Sequence, residues 1–263
     1  MRCGCLALCV AVSALAFSQD DLVGTQKYPQ FRVLSGLPGG GFGVLPNGKT
    51  GNTGAAALAT PIGYTLGSGS YAIGYYSTSS GSNPFRFDRQ DSKVNFSNGT
   101  GFYMGGVTYR GYHATLSNTI LSTSLDNVFN FQVSPPAFGK LGLSAGVQDV
   151  FDTGGASGPT DRLDPHVSRS FYVVGTYEVA SKTYVSLGKG ERRFEGLFGN
   201  ASFPISDRVR VLAEYDGFNL NGGVLYNTGR GQRLNPRDAS PDVSIFLGTV
   251  RGKYGTIGIA VTL

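Results

Sequence analysis

The sequence predicts an all-β fold, an antiparallel up-and-down transmembrane β-barrel of about twelve strands. The first observation is a short apolar leader at residues 1–16, with no later run long enough to be a spanning helix. The second is a series of strand-length segments separated by turn residues, which is typical of an outer-membrane barrel. The third is an alternating segment that runs to the last residue, Leu263.

The leader, residues 1–16, has the composition of a secretory signal peptide. Arg2 precedes a short apolar run, and cleavage is predicted after Ala16. A lipoprotein site at Cys9 is the alternative, which the bulky Leu8 disfavours. All three cysteines lie in this leader, so residues 17–263 are predicted to be a single exported domain without disulfides.

The composition favours β structure and excludes a nucleic-acid partner. The chain has 40 Gly, 17 Phe and 14 Tyr, with only 15% charged residues, unlike the Ala-, Leu-, Glu- and Lys-rich composition of helical proteins. The formal net charge is +5. A nucleic-acid binder clusters its basic residues, whereas here only Arg192 and Arg193 are adjacent.

After the leader, a polar stretch precedes a Gly-rich loop at residues 36–54. We expect this loop to be mobile, with a partial plug inside the barrel or a position at its rim as the alternatives. Strands are predicted at 31–34, 55–65, 71–77, 101–109, 112–122, 128–133, 140–150, 168–180, 183–189, three within 188–227, 243–250 and 254–263.

The segment 208–216 shows the alternation most clearly. Val209, Val211, Ala213 and Tyr215 share one face and are predicted to contact lipid, while Arg208, Arg210, Glu214 and Asp216 share the other. Leu212 is the one apolar residue on the charged face. We therefore expect Leu212→Gln to be tolerated.

The last strand alternates in the same way: Ile257, Ile259, Val261 and Leu263 are apolar, and the residues between them are small or polar. Bacterial barrels end on such a closing strand, although most have Phe or Trp where this chain has Leu263. The aromatic residues near strand ends suit interfacial girdles, and ordinary β propensity explains them equally well. These aromatic residues are Tyr71, Tyr75, Tyr76, Phe102, Tyr103, Tyr109, Tyr112, Phe171, Tyr172 and Tyr254.

Two fragments resemble a known family. They are the run 194–199 with Ala213-Glu214-Tyr215-Asp216-Gly217 and Asn221-Gly222-Gly223, and the run 146–154. They are similar to recurring segments of the YjbH-type outer-membrane β-barrel family. The resemblance implies a role in exopolysaccharide export or surface assembly, with polysaccharide or polysaccharide-export proteins as partners.

Charged residues on predicted strands are the candidate lumen-facing positions. We expect them chiefly to form facing ladders that brace the wall, because a barrel of about twelve strands has a narrow interior; lining a passage is the alternative. These candidates are Glu178, Lys182, Arg193, Glu195, Arg208, Arg210, Glu214 and Asp216.

No catalytic, cofactor or metal site is predicted. Gly142–Gly146 spells G-x-S-x-G around Ser144, but inside a predicted strand, and His113 lies on another strand. The phosphate-loop spelling at 43–50 lacks a strand before it and a helix after it. The acids Asp149, Asp152, Asp161 and Asp164 do not have the spacing of a calcium loop.

The function predicted from the sequence is a non-enzymatic bacterial outer-membrane barrel that assists exopolysaccharide export or surface assembly, in contact with outer-membrane lipid. The alternative is a small general porin or structural outer-membrane barrel. An outer-membrane lipid hydrolase that uses His113 and Ser144, and a secreted soluble β-sandwich, are the remaining alternatives.

Overall fold

A computed structural model describes residues 36–78, 99–121, 127–152, 169–194, 196–217, 220–229, 241–250, 252 and 254–263. Twelve antiparallel strands form one closed sheet in which each strand pairs with its neighbours in sequence. The strands are β1 Tyr71–Thr78, β2 Gly99–Tyr109, β3 Tyr112–Leu121, β4 Asn127–Ser134, β5 Leu141–Gln148, β6 Ser170–Ala180, β7 Thr183–Gly190, β8 Gly196–Pro204, β9 Val209–Tyr215, β10 Leu220–Asn227, β11 Asp242–Val250 and β12 Tyr254–Thr262.

The barrel closes where β12 pairs with β1, from Ala72 opposite Thr262 to Thr78 opposite Thr256. The up-and-down β-barrel and its closing C-terminal strand were both predicted, and the structure confirms them. The strands predicted with stated bounds from residue 71 onward agree with the observed strands to within two residues. Within the described ranges, no helix is long and apolar enough to cross a membrane.

The two faces of the wall differ in chemistry. On β9, Arg210, Leu212 and Glu214 are buried inside the barrel, while Val211 and Tyr215 lie on the outer face, as the alternation predicts. The outer faces of the other strands carry exposed apolar side chains such as Ile73, Leu116 and Leu187. The sheet therefore presents an apolar surface outward around its circumference.

The interior is filled by the chain that precedes β1, residues 36–70, which we call the inner segment. Most of its residues are buried, and Phe42, Val44, Leu58, Ile62 and Leu66, for example, are at most 1% exposed. The expectation of a mobile loop at residues 36–54 is therefore wrong, and the alternative of a plug inside the barrel is correct.

The predicted strand at 55–65 is also wrong. Around it only isolated bridges form, from Gly40 to Ala57 and from Val44 to Thr50 and Ala55. The run is apolar like a strand because the barrel encloses it on all sides, yet it has no neighbouring strand with which to form a ladder. The predicted strand 31–34 lies outside the described residues.

The aromatic residues divide between the faces. Tyr71, Tyr103, Tyr109, Tyr112 and Phe171 are exposed on the outside, in agreement with girdles. Tyr76, Phe102 and Tyr172 point inward and are buried, so for these three the girdle interpretation is wrong. Phe42 of the inner segment stacks on Phe102 at 6.2 Å between ring centroids. The Tyr76 ring lies so close to Gly258 that a Cβ there would clash with it.

The connections distinguish the two ends of the barrel. One end holds the start of β1 and the chain's last residue, and we call it the terminus end; the other is the loop end. The two longest connections, 79–98 between β1 and β2 and 149–169 between β5 and β6, both lie at the loop end. In outer-membrane barrels the longer loops are extracellular and the short turns periplasmic.

We expect Val211→Arg to destabilise the folded barrel by roughly 2–4 kcal/mol, because it places a charge at mid-strand on the lipid face. Urea unfolding in lipid vesicles, followed by heat-modifiable gel mobility, measures the difference. Ile205→Arg is the control, since Ile205 is an exposed apolar residue in the turn before β9. Equal stability of the two variants would contradict the assignment of the faces.

Candidate functional site: the filled lumen

The inner segment is attached to the wall through side chains from around the barrel. Gly36 O accepts a hydrogen bond from Ser117 on β3, and Gly41 O accepts one from the Tyr76 hydroxyl on β1. Leu66 N donates to Thr115 on β3. Further contacts come from β4, β5, β6, β8 and β9. The segment is thus fixed on several sides rather than lying along one strand.

The strongest attachment is a clamp formed by Glu214 on β9. Its carboxylate accepts hydrogen bonds from Leu58 N at 3.0 Å, from Ala59 N at 3.0 and 3.1 Å, and from Thr60 N at 3.3 Å. The Thr60 hydroxyl donates to the same carboxylate at 3.0 Å, and Asn221 Nδ2 on β10 donates at 3.0 Å. Glu214 is 4% exposed. Hydrogen bonds to an ionised acceptor are stronger than neutral ones, so this one side chain holds three successive backbone amides.

Neighbouring side chains extend the clamp across β8. Asn200 Nδ2 donates to Thr60 Oγ1 at 2.8 Å and to Pro61 O at 3.2 Å. Ala56 N donates to Ser202 Oγ at 3.3 Å. Buried backbone groups need partners, and here wall side chains supply those that a β ladder would otherwise provide.

A second attachment lies on the opposite side of the lumen. Gln132 Nε2 on β4 donates to the carbonyls of Ile62 and Tyr64, both at 3.1 Å. Ser144 Oγ on β5 donates to Ile62 O at 3.0 Å, and Gly63 N donates to Thr176 Oγ1 on β6 at 2.7 Å. Gly63 is required here, because a Cβ would meet the carbonyl of Gly142 in the wall.

Arg210 also binds the inner segment rather than an acid of the wall. Its Nε donates to Asn52 O at 3.3 Å, and its Nη1 donates to Lys182 O at 2.9 Å and to Ser202 Oγ at 3.1 Å. Its guanidinium lies over the Tyr184 ring at 5.6 Å. No described carboxylate lies within ion-pair distance of Arg210. The expected ladder of facing charges is therefore absent at Arg210 and Glu214, because the inner segment supplies partners for both.

The other predicted lumen residues occupy several environments. Asp216 is buried and accepts from Asn221 Nδ2 at 3.2 Å. Glu178 is half-buried on the inner side of β6 and accepts from Lys182 N at 2.9 Å. Arg193 is buried in a single 3-10 turn at the loop end. Glu195 lies outside the described residues.

Lys182 and Arg208 do not lie along the lumen as predicted. Both are in turns at the terminus end, where Lys182 Nζ approaches Asp207 at 3.6 Å and Arg208 is exposed. β6 ends at Ala180 and β7 begins at Thr183, so Lys182 lies in the turn between them, and β9 begins at Val209, directly after Arg208.

Several residues that hold the inner segment were not predicted. They are uncharged polar residues at inward positions, namely Thr115, Gln132, Ser144, Thr176, Asn200 and Asn221. The signal that identifies them is the alternation itself, since each occupies the inner face of its strand. Only charged residues were predicted as candidates that face the lumen.

Leu212 belongs to the buried apolar cluster that includes Val44, Leu58 and Phe102. Its side chain therefore faces the apolar side of the inner segment rather than a polar lumen. This reverses the expectation that Leu212→Gln is tolerated, because Gln would bury an amide among apolar atoms.

The residues considered for catalysis are engaged elsewhere. Gly142–Gly146 lies within β5, as predicted, and Ser144 contacts the inner segment. His113 Nδ1 is 2.9 Å from Thr108 Oγ1, and no hydrogen bond joins His113 to Ser144. The phosphate-loop spelling forms a turn in which Gly48 N donates to Leu45 O. Among the described residues no acid, His or Cys cluster is arranged for a metal, and Asp161 and Asp164 lie outside them.

Comparisons with known proteins yield distant structural similarity alone. No protein-family model matches the sequence. No curated protein matches it at a significant level. Among solved structures, the chain is similar to a KdgM porin, with 12% identity, a TM-score of 0.44, and coverage of 73% of this chain and 97% of that one.

Two further solved structures are similar at comparable levels. The KdgM porin in complex with disordered oligogalacturonate has 10% identity, a TM-score of 0.44 and the same coverage. A mutant of the Rh. blastica porin has 12% identity, a TM-score of 0.36, and coverage of 62% of this chain and 55% of that one.

We expect Glu214→Ala to leave the amides of Leu58, Ala59 and Thr60 without their acceptor. The free energy of unfolding should fall by about 3 kcal/mol, and exchange of these amides should accelerate selectively. Hydrogen exchange followed by mass spectrometry of the folded protein measures this. Glu178→Gln is the control, because the hydrogen bond that Glu178 accepts from Lys182 N stays within its own hairpin. Protection of residues 58–60 that is unchanged in Glu214→Ala would exclude the clamp.

Proposed function

We propose that the protein is a non-enzymatic outer-membrane barrel of porin type whose inner segment closes the lumen. The membrane location is supported by the apolar outer face, since a closed barrel satisfies all its backbone groups while exposing apolar side chains to lipid. Recovery of the protein in the soluble fraction without detergent would disprove it.

The main support for a closed lumen is the clamp between Glu214 and residues 58–60. A barrel of twelve strands is wider than the eight-stranded barrels whose interior side chains alone can fill, and residues 36–70 occupy the additional space and block it. The segment is covalently continuous with β1, which begins at Tyr71. It can therefore be displaced but not lost, as a gate requires.

The contacts that hold the segment are suited to reversible release. They are hydrogen bonds and apolar contacts, and one buried carboxylate carries the largest set. Loss of that set leaves the wall intact, because the strand ladders of β8, β9 and β10 do not depend on the Glu214 side chain. Passage of solute then requires the segment to move away from β9.

Single-channel recording in planar bilayers tests this proposal. We expect the unaltered protein to remain closed with rare openings, Glu214→Ala to open more often and for longer, and Glu178→Gln to resemble the unaltered protein. Steady conductance by the unaltered protein would contradict a closed lumen. A complete absence of openings in all three proteins would instead support a purely structural barrel.

The resemblance to the YjbH family supports a second proposal, a role in exopolysaccharide export or surface assembly. The two matching fragments are its whole support, and the named structural neighbours are porins. We expect deletion of the gene to lower secreted polysaccharide, measured as carbohydrate per cell in the medium, with restoration by the intact gene. Unchanged secretion would exclude the role in exopolysaccharide export and leave only the porin-type proposal.

A further inference from the structure

The outer face carries one charged side chain among the strand residues that the structure describes. Lys189 lies on β7 between outward-facing Leu187 and the loop end of the barrel, and it is exposed. The other outward positions of the described strands are apolar, glycine or uncharged polar residues. A cation on a lipid-facing surface is energetically costly unless it reaches the membrane interface or contacts an anion. We therefore expect the Lys189 ammonium to have an anionic partner at the interface.

Lys189 lines an apolar groove of about 620 Å³ on the outer surface. Strand pairing places Val133, Ala145, Val173, Lys189 and Leu197 in one row across β4 to β8, and all five line the groove. In the adjacent row Gly175 lies between Leu143 and Leu187. The floor of the groove lies at Gly175, which has no side chain, and at Ala145, whose side chain is small.

The groove continues to an incomplete seam in the wall. β4 pairs regularly with β5 only from Phe131 to Val133, with one further backbone hydrogen bond from Val150 N to Phe129 O towards the loop end, although β5 pairs with β6 along its full length. Pro135, which also lines the groove, follows β4 and has no N–H to extend the ladder. Gly63 and Tyr64 of the inner segment pack against Gly142 of β5 from inside. The seam is therefore backed by protein while its outer side stays open.

The chemistry of this surface fits an anionic lipid better than a second copy of the chain. No acidic side chain lies on the outer face of the described strands, so a second copy would bring no strand carboxylate to Lys189. Lys189 directly precedes the last residue of β7 at the loop end, which is extracellular by the loop-length rule. The lipid available at that level belongs to the outer leaflet.

We propose that the groove binds the phosphorylated glycolipid of the outer leaflet, with an acyl chain over Gly175 and a phosphate at Lys189. This rests on the proposed outer-membrane location. The lysine stem lies along apolar surface and its ammonium reaches the headgroup level, as such side chains do at membrane interfaces. Selectivity comes from the phosphate, and affinity also depends on the depth of the groove.

Binding is tested on the full-length folded protein in detergent, with purified bis-phosphorylated lipid A as the probe and its enzymatically dephosphorylated form for comparison. Native mass spectrometry gives the bound fraction at each lipid concentration. The variants are Lys189→Met, which keeps the stem and removes the charge, and Gly175→Leu, which fills the floor. A Cβ at Gly175 would meet Leu143 Cδ2 at 3.3 Å, a flexible side-chain end that can shift.

Two matched controls accompany them. Gly101→Leu adds the same side chain to an outward glycine of β2, where a Cβ would have no neighbour closer than 3.9 Å. Arg208→Met removes a cation in a turn at the terminus end. Heat-modifiable mobility establishes that each variant is folded before binding is measured.

We expect Lys189→Met to weaken binding of bis-phosphorylated lipid A about tenfold and to abolish the preference over the dephosphorylated form. Gly175→Leu should weaken binding of both forms, and the two controls should match the unaltered protein. Unchanged binding by Lys189→Met, or equal displacement of lipid A by phosphatidylglycerol, overturns the proposal. Heat-modifiable mobility shows independently that the barrel is folded, so failure of the lipid-binding proposal leaves the outer-membrane assignment intact. That assignment fails only if the protein fractionates without detergent.

Discussion

The inner segment is held in the lumen chiefly by one buried carboxylate, which takes the place of a neighbouring strand. Residues 58–60 cross the lumen without a neighbouring strand, and Glu214 accepts the hydrogen bonds that a ladder would have received. Leaving these amides unpaired in the interior would cost about 3 kcal/mol, a large share of the 5–15 kcal/mol by which folded proteins are typically stable. The segment can therefore run through the centre of the sheet because the sheet provides side-chain acceptors at matching heights.

Closure of the sheet makes this arrangement possible and also necessary. A closed barrel has no free edge, so a chain inside it cannot join the sheet and must be attached through side chains. The inner face accordingly combines polar groups such as Gln132 and Asn200 with apolar ones such as Leu212 and Phe102. The inner segment matches this mixture: its backbone meets the polar groups, and Phe42, Val44 and Leu58 meet the apolar ones.

Alternate residues of each strand face opposite sides of the wall, so one alternating sequence pattern has to suit both the outer surface and the lumen. On β9 a shift by one residue would turn Glu214 onto the apolar outer face and Val211 into the lumen, which costs energy on both sides. Lys189 is notable for the same reason. It is a charged residue at an outward position, where the described strands otherwise carry uncharged residues. That departure coincides with the groove over Gly175 and with the incomplete seam between β4 and β5.

The sequence by itself determined the barrel, the bounds of most of its strands from residue 71 onward and the face on which Val211 and Glu214 lie. These follow from local periodicity, because alternate side chains of a strand point to opposite sides whatever surrounds them. The tertiary structure alone decided what lies opposite the inner face. It placed residues 36–70 in the lumen and gave Glu214 and Arg210 backbone partners instead of facing charges on other strands. It also placed the apolar run at 55–65 inside the barrel without a strand ladder. Periodicity does not encode these contacts, because they join residues about 150 positions apart, such as Leu58 and Glu214, and exist only once the sheet has closed.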